Sequence, residues 1–331
     1  MIASPHHVTD QAKLLAEQGN VAGAFELLNK AEQDGDARAA LMLADWRLSG
    51  ALIRRDIKLA RKFYGRAVEL GLEEIAPIHI AMLANGAGGA SRDWRLALKL
   101  LRQRAAYDSL AERQLRLIEA MDINEEGDPL ASMNPVCCND TPLVEQHLHF
   151  MTPDECHYII EQASGNLQPS VVFHPVTGRM VQDPIRTART AAFPIVKEDP
   201  VVHAINRRIA KATQTDVSQG EPTQILCYDA GEQYKLHSDA LPTGDNQRAK
   251  TFLVALNHHF EGGETSFPEL GLKLRGKTGD AIHFTNVNSE GSIDNAAKHA
   301  GLPVIRGRKY ILSKWIRERP LDLTGPPGRP F

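Results

Sequence analysis

The chain has 331 residues, of which 42% are hydrophobic and 24% are charged, and its formal net charge is −3. This length and composition are typical of a soluble protein with two domains. The weakly negative balance argues against a nucleic-acid-binding surface or an acidic-membrane surface, since both need an excess of Lys and Arg. The first residues lack the basic and apolar regions of a secretion signal, so none is expected, no apolar run is long enough to span a bilayer, and the four cysteines lack metal-ligand spacing. We therefore expect a cytoplasmic protein with neither a nucleic-acid nor a membrane partner.

The first part of the chain repeats with a period near 36 residues. Asn20, Asp56 and Asp93, spaced 36 and 37 apart, each precede a predicted helix. Small residues recur at equivalent positions of the repeat, namely Ala24, Ala60 and Ala97, and Gly50 and Gly86. Small residues let two helices approach closely, so residues 1–112 are predicted to form a short α-solenoid of stacked helix pairs.

Two copies of this repeat, DIKLARKFYGRAVELG and DWRLALKLLRQRAAYD, resemble Sel1-type repeats, which are relatives of the tetratricopeptide repeat. The resemblance implies a role in protein contacts, either by binding a substrate or partner or by forming a homodimer. A purely stabilising role for the helices stays open.

Strand-like segments dominate the second half of the chain. Residues 113–145 are rich in Gly, Pro, Asn and Asp and are predicted to be a linker, and the Pro/Gly-rich residues 321–331 are predicted to be a disordered tail. Between them, an amphipathic helix with Thr152 as N-cap is followed by the short segments TQILCY (223–228), YKLH (234–237), TFLVALN (251–257), DAIHF (280–284) and KYILSKW (309–315). Short strands with little helix between them predict a double-stranded β-helix, or jelly roll, over residues 146–320. The fold class is therefore α + β and multidomain.

One pair of residues on these segments has the spacing of metal ligands. His237 and Asp239 are two residues apart, so a strand would place both side chains on the same face. Non-haem Fe(II) oxygenases bind iron through two histidines and one carboxylate and leave the other positions open. His299 is the best candidate for the third ligand. The rival pair, His259 and Glu261, precedes two glycines that predict a turn, so we place it on the rim.

A lysine ten residues after His299 adds a second signal. Lys309 opens a predicted strand whose residues on the same face include Ser313 and Trp315. A cation in an apolar wall is costly unless it has an anionic partner. A dicarboxylate that chelates iron at one end would supply that anion at the other.

Several blocks of residues 150–318 resemble the prolyl 4-hydroxylase branch of the 2-oxoglutarate/Fe(II)-dependent dioxygenases. They include EPTQILCYDAGEQYKLHSD, RAKTFLVALN, EGGETSFPE, GDAIHF and HAGLPVIRGRKYILSKWIRER, in this order. The resemblance implies that His237, Asp239 and His299 bind Fe(II). It also implies that Lys309 holds the distal carboxylate of 2-oxoglutarate and that Tyr228 hydrogen-bonds this cosubstrate.

Three further residues receive roles near the same site. Arg248 and Trp315 match positions that shape the family's active site, and Arg248 is expected to lie near the substrate. An ion pair of Arg248 with a surface acid, and packing roles for Trp315 and Tyr228, stay open. Strand alternation alone suggests that Ser313 adds a hydrogen bond to the cosubstrate.

The resemblance implies an oxidoreductase that uses Fe(II), 2-oxoglutarate and O2, with ascorbate as reductant, to hydroxylate an unactivated C–H bond. Its substrate would be a prolyl or other residue of a peptide or protein, which the helical repeats could help to present. Two alternatives are a hydroxylase of a free amino acid or small metabolite and a non-catalytic helical-repeat adaptor.

Overall fold

The computed structural model describes residues 5–87, 91–173, 180–182, 185–242 and 246–321. The chain divides into two compact units. The described part of the first is residues 5–87, 91–128 and 194–204, and the second comprises residues 129–193 and 205–321. The predicted tail at 321–331 lies, except for its first residue, outside the described residues.

The first unit is an array of helices of similar length, in which each helix packs against the next one along the chain. Its helices are α1 Pro5–Glu17, α2 Val21–Gln33, α3 Ala37–Ser49, α4 Ile57–Glu69, α5 Ala76–Asn85, α6 Trp94–Ala105 and α7 Ser109–Glu119. Each helix therefore has two to four turns, and stacking on its neighbours buries the apolar face that an isolated helix would expose.

The repeat seen in the sequence sets the starts and contacts of these helices. The side chains of Asn20, Asp56 and Asp93 accept hydrogen bonds from the first-turn backbone N–H groups of α2, α4 and α6. A cap of this kind contributes about 1 kcal/mol. The alanines at the equivalent positions, Ala24, Ala60 and Ala97, are all fully buried. The features that recur about every 36 residues are thus the N-caps of the helices and the buried alanines at which helices contact each other.

The second unit consists of antiparallel sheets with two helices. Its helices are α8 Pro153–Ser164 and α9 Pro200–Thr213, of which residues 205–213 belong to this unit. Its strands are β1 Val136–Asp140, β2 Leu143–His147, β3 Gln168–Pro169, β4 Val171–Phe173, β5 Met180–Gln182, β6 Arg189–Phe193, β7 Thr223–Tyr228, β8 Tyr234–His237, β9 Arg248–Ala255, β10 Phe260–Gly262, β11 Thr265–Phe267, β12 Leu272–Leu274, β13 Ala281–Thr285, β14 His299–Gly301, β15 Val304–Gly307 and β16 Lys309–Arg317. Thr152 caps α8 in a reciprocal capping box with Glu155, as the sequence predicts.

Two sheets enclose the core of this unit. The main sheet has the strand order β1-β2-β13-β9-β16-β7-β6-β3, and the minor sheet has the order β12-β11-β14-β8. Val144 and Phe284 of the main sheet pack against Phe267 of the minor sheet, and all three are fully buried. Burying each Phe side chain contributes about 1.5–3 kcal/mol. The predicted jelly roll is confirmed, with the two sheets facing each other.

Helix α9 lies against the opposite face of the main sheet. Thr223 on β7 donates a hydrogen bond from Oγ1 to Oδ1 of Asn206 at 2.7 Å. The Nζ of Lys250 on β9 donates to the carbonyl oxygen of Thr213 at 2.6 Å. Both faces of the main sheet are therefore covered, one by the minor sheet and one by a helix.

The predicted linker differs from the structure at both ends. Helix α7 continues to Glu119, and residues 136–147 form the hairpin β1–β2, whose second strand pairs with β13. The composition of 136–147 concealed this hairpin because β1 lies at the edge of the sheet and is largely exposed. An edge strand that buries neither face shows no alternation of apolar and polar residues.

Among the described residues, we find no helix whose length and apolar character would suit it to cross a membrane.

Candidate active site

Three side chains from separate segments converge between the two sheets. His237 is the last residue of β8, Asp239 follows two residues later, and His299 opens β14 directly opposite His237. The Nε2 of His237 lies 3.4 Å from Oδ1 of Asp239, and the Nε2 of His299 lies 3.6 Å from Oδ2. All three residues are buried. Strand pairing therefore places His299 beside a residue 62 positions earlier in the chain.

Hydrogen bonds fix the orientation of both imidazoles. The Nδ1 of His237 faces the carbonyl oxygen of Lys235 at 2.8 Å, and the Nδ1 of His299 faces that of Ala297 at 3.2 Å. A carbonyl only accepts, so each Nδ1 carries the proton, and the lone pair of each Nε2 points toward Asp239. The buried Nε2 of His237 has no hydrogen-bond partner in the described part of the chain.

A second set of hydrogen bonds holds the carboxylate. Thr251 on β9 donates from Oγ1 to Oδ2 of Asp239 at 2.8 Å, and Asn286 donates from Nδ2 to the same Thr251 oxygen at 2.9 Å. Burial alone would raise the pKa of Asp239, but the neighbouring imidazoles and the Thr251 hydrogen bond outweigh it and hold the pKa far below its usual range. Burial lowers the pKa of His299 to about 4, although Asp239 opposes this shift. At neutral pH the site thus holds an ionised carboxylate beside neutral His299.

This donor set fits a divalent iron. Two imidazole nitrogens and one carboxylate oxygen, all within 4.8 Å of one another, form a cluster that could hold a metal ion. The partnerless Nε2 of His237 would gain a ligand bond there, and Fe(II) in oxygenases is held by this combination of donors. The hydrogen bonds that both Nδ1 atoms donate, and the one that Asp239 accepts, are the outer contacts that orient metal ligands.

The cavity at this cluster also contains a buried cation. Lys309, the first residue of β16, is 6% exposed, and its Nζ donates to the carbonyl oxygen of Gly263 at 2.7 Å. Its Nζ lies 5.5 Å from the ring centroid of Tyr228, which faces Lys309 across the β7–β16 pair. Burial lowers the pKa of Lys309 to about 8, against a raising effect from Glu264. An anionic ligand in the cavity would therefore pair with the buried ammonium of Lys309, which is already in place.

Residues of both sheets line the cavity, together with Asp239 from the loop after β8. They are Leu226, Tyr228, Tyr234, His237, Asp239, Leu253, Thr265, His299, Gly301, Lys309, Ile311, Ser313 and Trp315. The alternation of β16 thus places Lys309, Ser313 and Trp315 on one face, as the sequence predicts. The hydrogen bond suggested for Ser313 stays a prediction, because it concerns a bound cosubstrate.

Arg248 lies on the wall behind the cavity and does not line it. Its guanidinium forms two hydrogen bonds with the Glu221 carboxylate, at 2.7 and 2.9 Å, and lies 3.7 Å from the ring centroid of Trp315. Arg248 therefore forms an ion pair, as the sequence left open, but its partner Glu221 is buried and is not a surface acid. Arg248 and Glu221 hold the Trp315 ring, and the buried Nε1 of Trp315 has no hydrogen-bond partner among the residues described.

Sequence reasoning missed the role of Tyr234. Its ring stacks on that of His237, with centroids 3.5 Å apart and planes 14° apart, and Arg186 lies over its ring at 5.4 Å. Residues three apart point to opposite faces of a regular strand, so the spacing gave no signal. Between β8 and β14 the register shifts, because His237 pairs with His299 while Tyr234 pairs with Gly301. This bulge brings both rings to the same face.

Two other contributions were also missed or left without a role. Gly263 was predicted to serve a turn, and its positive φ of +69° agrees with this, but its carbonyl oxygen also accepts the Lys309 hydrogen bond. Thr251 reads as an ordinary strand residue, and only the fold brings it to Asp239. The rival His259 is exposed and belongs to no metal-binding cluster among the residues that could be searched.

Comparison with known proteins agrees with this geometry. Residues 223–317 match the family described as 2OG-Fe(II) oxygenase superfamily. The chain is 32% identical over 200 residues to probable prolyl 4-hydroxylase 10 of Arabidopsis thaliana, a match that covers 53% of this chain and 69% of that protein. It is 31% identical over 196 residues to prolyl 4-hydroxylase subunit alpha-1 of Gallus gallus, covering 56% of this chain and 38% of the relative.

Among solved structures, the chain is similar to the viral collagen prolyl hydroxylase of Paramecium Bursaria Chlorella virus-1 in complex with 2OG. The sequence identity is 27%, the match covers 53% of this chain and 95% of the viral chain, and the TM-score is 0.43. The segment matched by the family runs from β7 to β16 and contains His237, Asp239, His299 and Lys309.

Proposed function

The chain belongs to the 2-oxoglutarate/Fe(II)-dependent dioxygenases with prolyl 4-hydroxylase relatives, and we propose that it hydroxylates a prolyl residue of a peptide or protein. Its cofactor is Fe(II), its cosubstrates are 2-oxoglutarate and O2, and ascorbate is the reductant typical of these relatives. One observation carries the proposal. The two histidines and the aspartate meet in a cavity that also holds the buried ammonium of Lys309.

When bound, Fe(II) supplies with 2-oxoglutarate and O2 the oxidising chemistry that hydroxylates an unactivated C–H bond and yields succinate and CO2. His237, Asp239 and His299 hold the metal through two Nε2 atoms and one carboxylate. Lys309 binds the distal carboxylate of 2-oxoglutarate, and Tyr228, across the strand pair from Lys309, donates its hydroxyl to the same cosubstrate.

The apolar and aromatic wall positions the substrate and excludes water. Trp315 lines the cavity, its buried Nε1 has no hydrogen-bond partner among the described residues, and Arg248, which is paired with Glu221, stacks on its ring. An indole N–H is a donor that suits a backbone carbonyl of a bound peptide. A free amino acid has no backbone amide carbonyl to offer this donor, so the proposed contact favours a peptide as the substrate.

Succinate formation tests the function directly. The purified protein is incubated with Fe(II), ascorbate, 2-oxoglutarate and proline-containing peptides, and we expect peptide-dependent succinate together with a peptide mass gain of one oxygen atom. His237→Ala should abolish both, whereas the matched variant His259→Ala, at an exposed histidine outside the cluster, should retain them.

Two results would contradict the proposal. Stimulation by free proline or another small metabolite, and not by any peptide, would favour the small-molecule hydroxylase. Equal succinate from the wild type and from His237→Ala would leave only the adaptor role.

We propose further that the helical array binds the protein substrate or a second copy of the chain. The fully buried alanine contacts give stacked helices like those of solenoids, which use extended surfaces for binding. A substrate that engages both the array and the active site gains effective concentration. The KM for an intact protein substrate should then lie at least about tenfold below that for a short peptide with the same prolyl sequence. Equal KM values would refute a substrate-binding array, and light scattering would show whether the chain dimerises.

A further inference from the structure

A second group of potential metal ligands lies on the opposite face of the main sheet. Glu145 and His147 are on β2, and His283 is on β13 directly opposite Glu145. Phe284, the next residue of β13, packs in the core between the two sheets, so alternation turns His283 toward the helix-covered face. The group is thus separated from the active-site ligands by the sheet itself.

The distances within this group suit a shared ion. The Nδ1 of His283 is hydrogen-bonded to Oε2 of Glu145 at 3.0 Å, and the Nε2 of His147 lies 3.9 Å from the same oxygen. Metal binding at Nδ1 would move the His283 proton to Nε2. Ligands bound tetrahedrally at about 2.0–2.1 Å from Zn(II) lie about 3.3 Å apart, and the two observed distances bracket this separation. One ligand atom from each residue lies within 4.8 Å of the others.

Burial distinguishes the group from a surface cluster. His147 is 4% exposed and His283 is 2% exposed, and the Nε2 of His147 has no hydrogen-bond partner in the described ranges. His147 directs its Nε2 toward the Glu145 carboxylate, whose side chain is 19% exposed and so leaves an entry path. A buried imidazole nitrogen without a partner costs free energy that a metal bond would recover.

Aromatic rings and a lysine surround the group. The ring of His147 packs against Phe150 and Phe252, with centroids 6.0 and 5.4 Å away. Lys250, the nearby cation, directs its Nζ to the carbonyl oxygen of Thr213.

We propose that Glu145, His147 and His283 form a second divalent metal site, selective for Zn(II), that joins β2 to β13. Two histidines and one glutamate are a ligand set that proteins use for zinc, with a fourth position left to a non-protein ligand. Zinc binds such a site more tightly than Fe(II) does. The site fastens the β1–β2 hairpin to the main sheet. This proposal is independent of the proposed substrate and of the catalytic role of the iron ligands.

Metal stoichiometry tests the proposal on the full chain. Protein stripped with a chelator is titrated with Zn(II) and analysed by elemental mass spectrometry after removal of free metal. The wild type should bind two equivalents, because the catalytic set also takes zinc. The double variant His237→Ala/Asp239→Ala should keep one, and adding Glu145→Gln to it should reduce the count to none. The matched variant Glu161→Gln, which removes an α8 carboxylate outside the group, should bind two.

A second readout covers the case in which a variant fails to fold. Zinc X-ray absorption on the double variant should show two imidazole ligands with an oxygen ligand, and Zn(II) should raise the Tm of that protein by several degrees. A single equivalent in the wild type and none in the folded double variant would overturn the proposal. Zinc retained by a folded triple variant, His237→Ala/Asp239→Ala/Glu145→Gln, would also overturn it.

Discussion

Replacing Lys309 by methionine separates cosubstrate binding from stability. Lys309 is the cation among the described residues that line the cavity, and it is 6% exposed. Removing one partner of a buried ion pair costs about 3–5 kcal/mol, and each 1.4 kcal/mol is a factor of ten in affinity. The KM for 2-oxoglutarate should therefore rise by roughly 100-fold to 4,000-fold in Lys309→Met, with a smaller effect on kcat at saturation.

The same variant should not unfold the protein. The pKa of Lys309 falls from 10.5 to about 8 in the fold, so burying its ammonium costs roughly 3 kcal/mol at neutral pH. Losing the hydrogen bond to Gly263 costs about 1–3 kcal/mol, which offsets that relief. The free energy of unfolding should thus stay the same or rise slightly, as measured by denaturant titration.

A matched lysine on the same strand provides the control. Lys314 is also buried, but it points to the other face of β16, where its Nζ donates to Oγ1 of Thr223 at 3.2 Å. Lys314→Met should leave the KM for 2-oxoglutarate unchanged. An unaltered KM in Lys309→Met, or an equal rise in both variants, would refute the reasoning.

Three further predictions concern the same cavity. The KM for 2-oxoglutarate should be constant below about pH 8 and rise about tenfold per pH unit above it, because the free protein then loses the Lys309 proton. Thr251→Val removes the donor to Asp239 and should weaken Fe(II) affinity by about 10–100-fold in a metal titration. Trp315→Phe keeps an aromatic ring but deletes the unpaired N–H, so the KM for a prolyl peptide should rise by about tenfold while that for 2-oxoglutarate stays constant.

Each of these has its own contrary outcome. A flat pH profile between pH 7 and about pH 9.5 would show that Lys309 is not the group that titrates. Unchanged Fe(II) affinity in Thr251→Val would mean that Asp239 needs no hydrogen bond to bind the metal. A Trp315→Phe protein whose peptide kinetics match the wild type would make this tryptophan a packing residue.

The sequence predicts the site well where the chemistry depends on strand alternation. Lys309, Ser313 and Trp315 come to one face because they are an even number of residues apart on β16. His237 and Asp239 line the same cavity, but Asp239 lies in the loop that follows β8, so the predicted alternation is not what places it there. The repeat of Asn20, Asp56 and Asp93 predicts the starts of three helices equally well, because an N-cap is a local feature of the chain.

Features that depend on which strands pair with each other could not be predicted from the pattern of the sequence. Tyr234 reaches the face of His237 only through a bulge, and a bulge depends on the partner strand. Glu145 and His147 lay in or beside the predicted linker, so the sequence left His283 without neighbours to define its role. The exposed edge strand β1 carried no periodic signal that would have placed this hairpin in the sheet.

The most direct test of the iron site is anaerobic optical titration. Under argon, 2-oxoglutarate is added to the Fe(II)-loaded protein, and chelation of the metal by the keto acid produces a visible charge-transfer band. The wild type should develop this band with one equivalent of Fe(II), and His237→Ala and Asp239→Ala should not. A wild-type protein without the band, or a His237→Ala protein that keeps it at full intensity, would contradict the assignment of these residues as iron ligands.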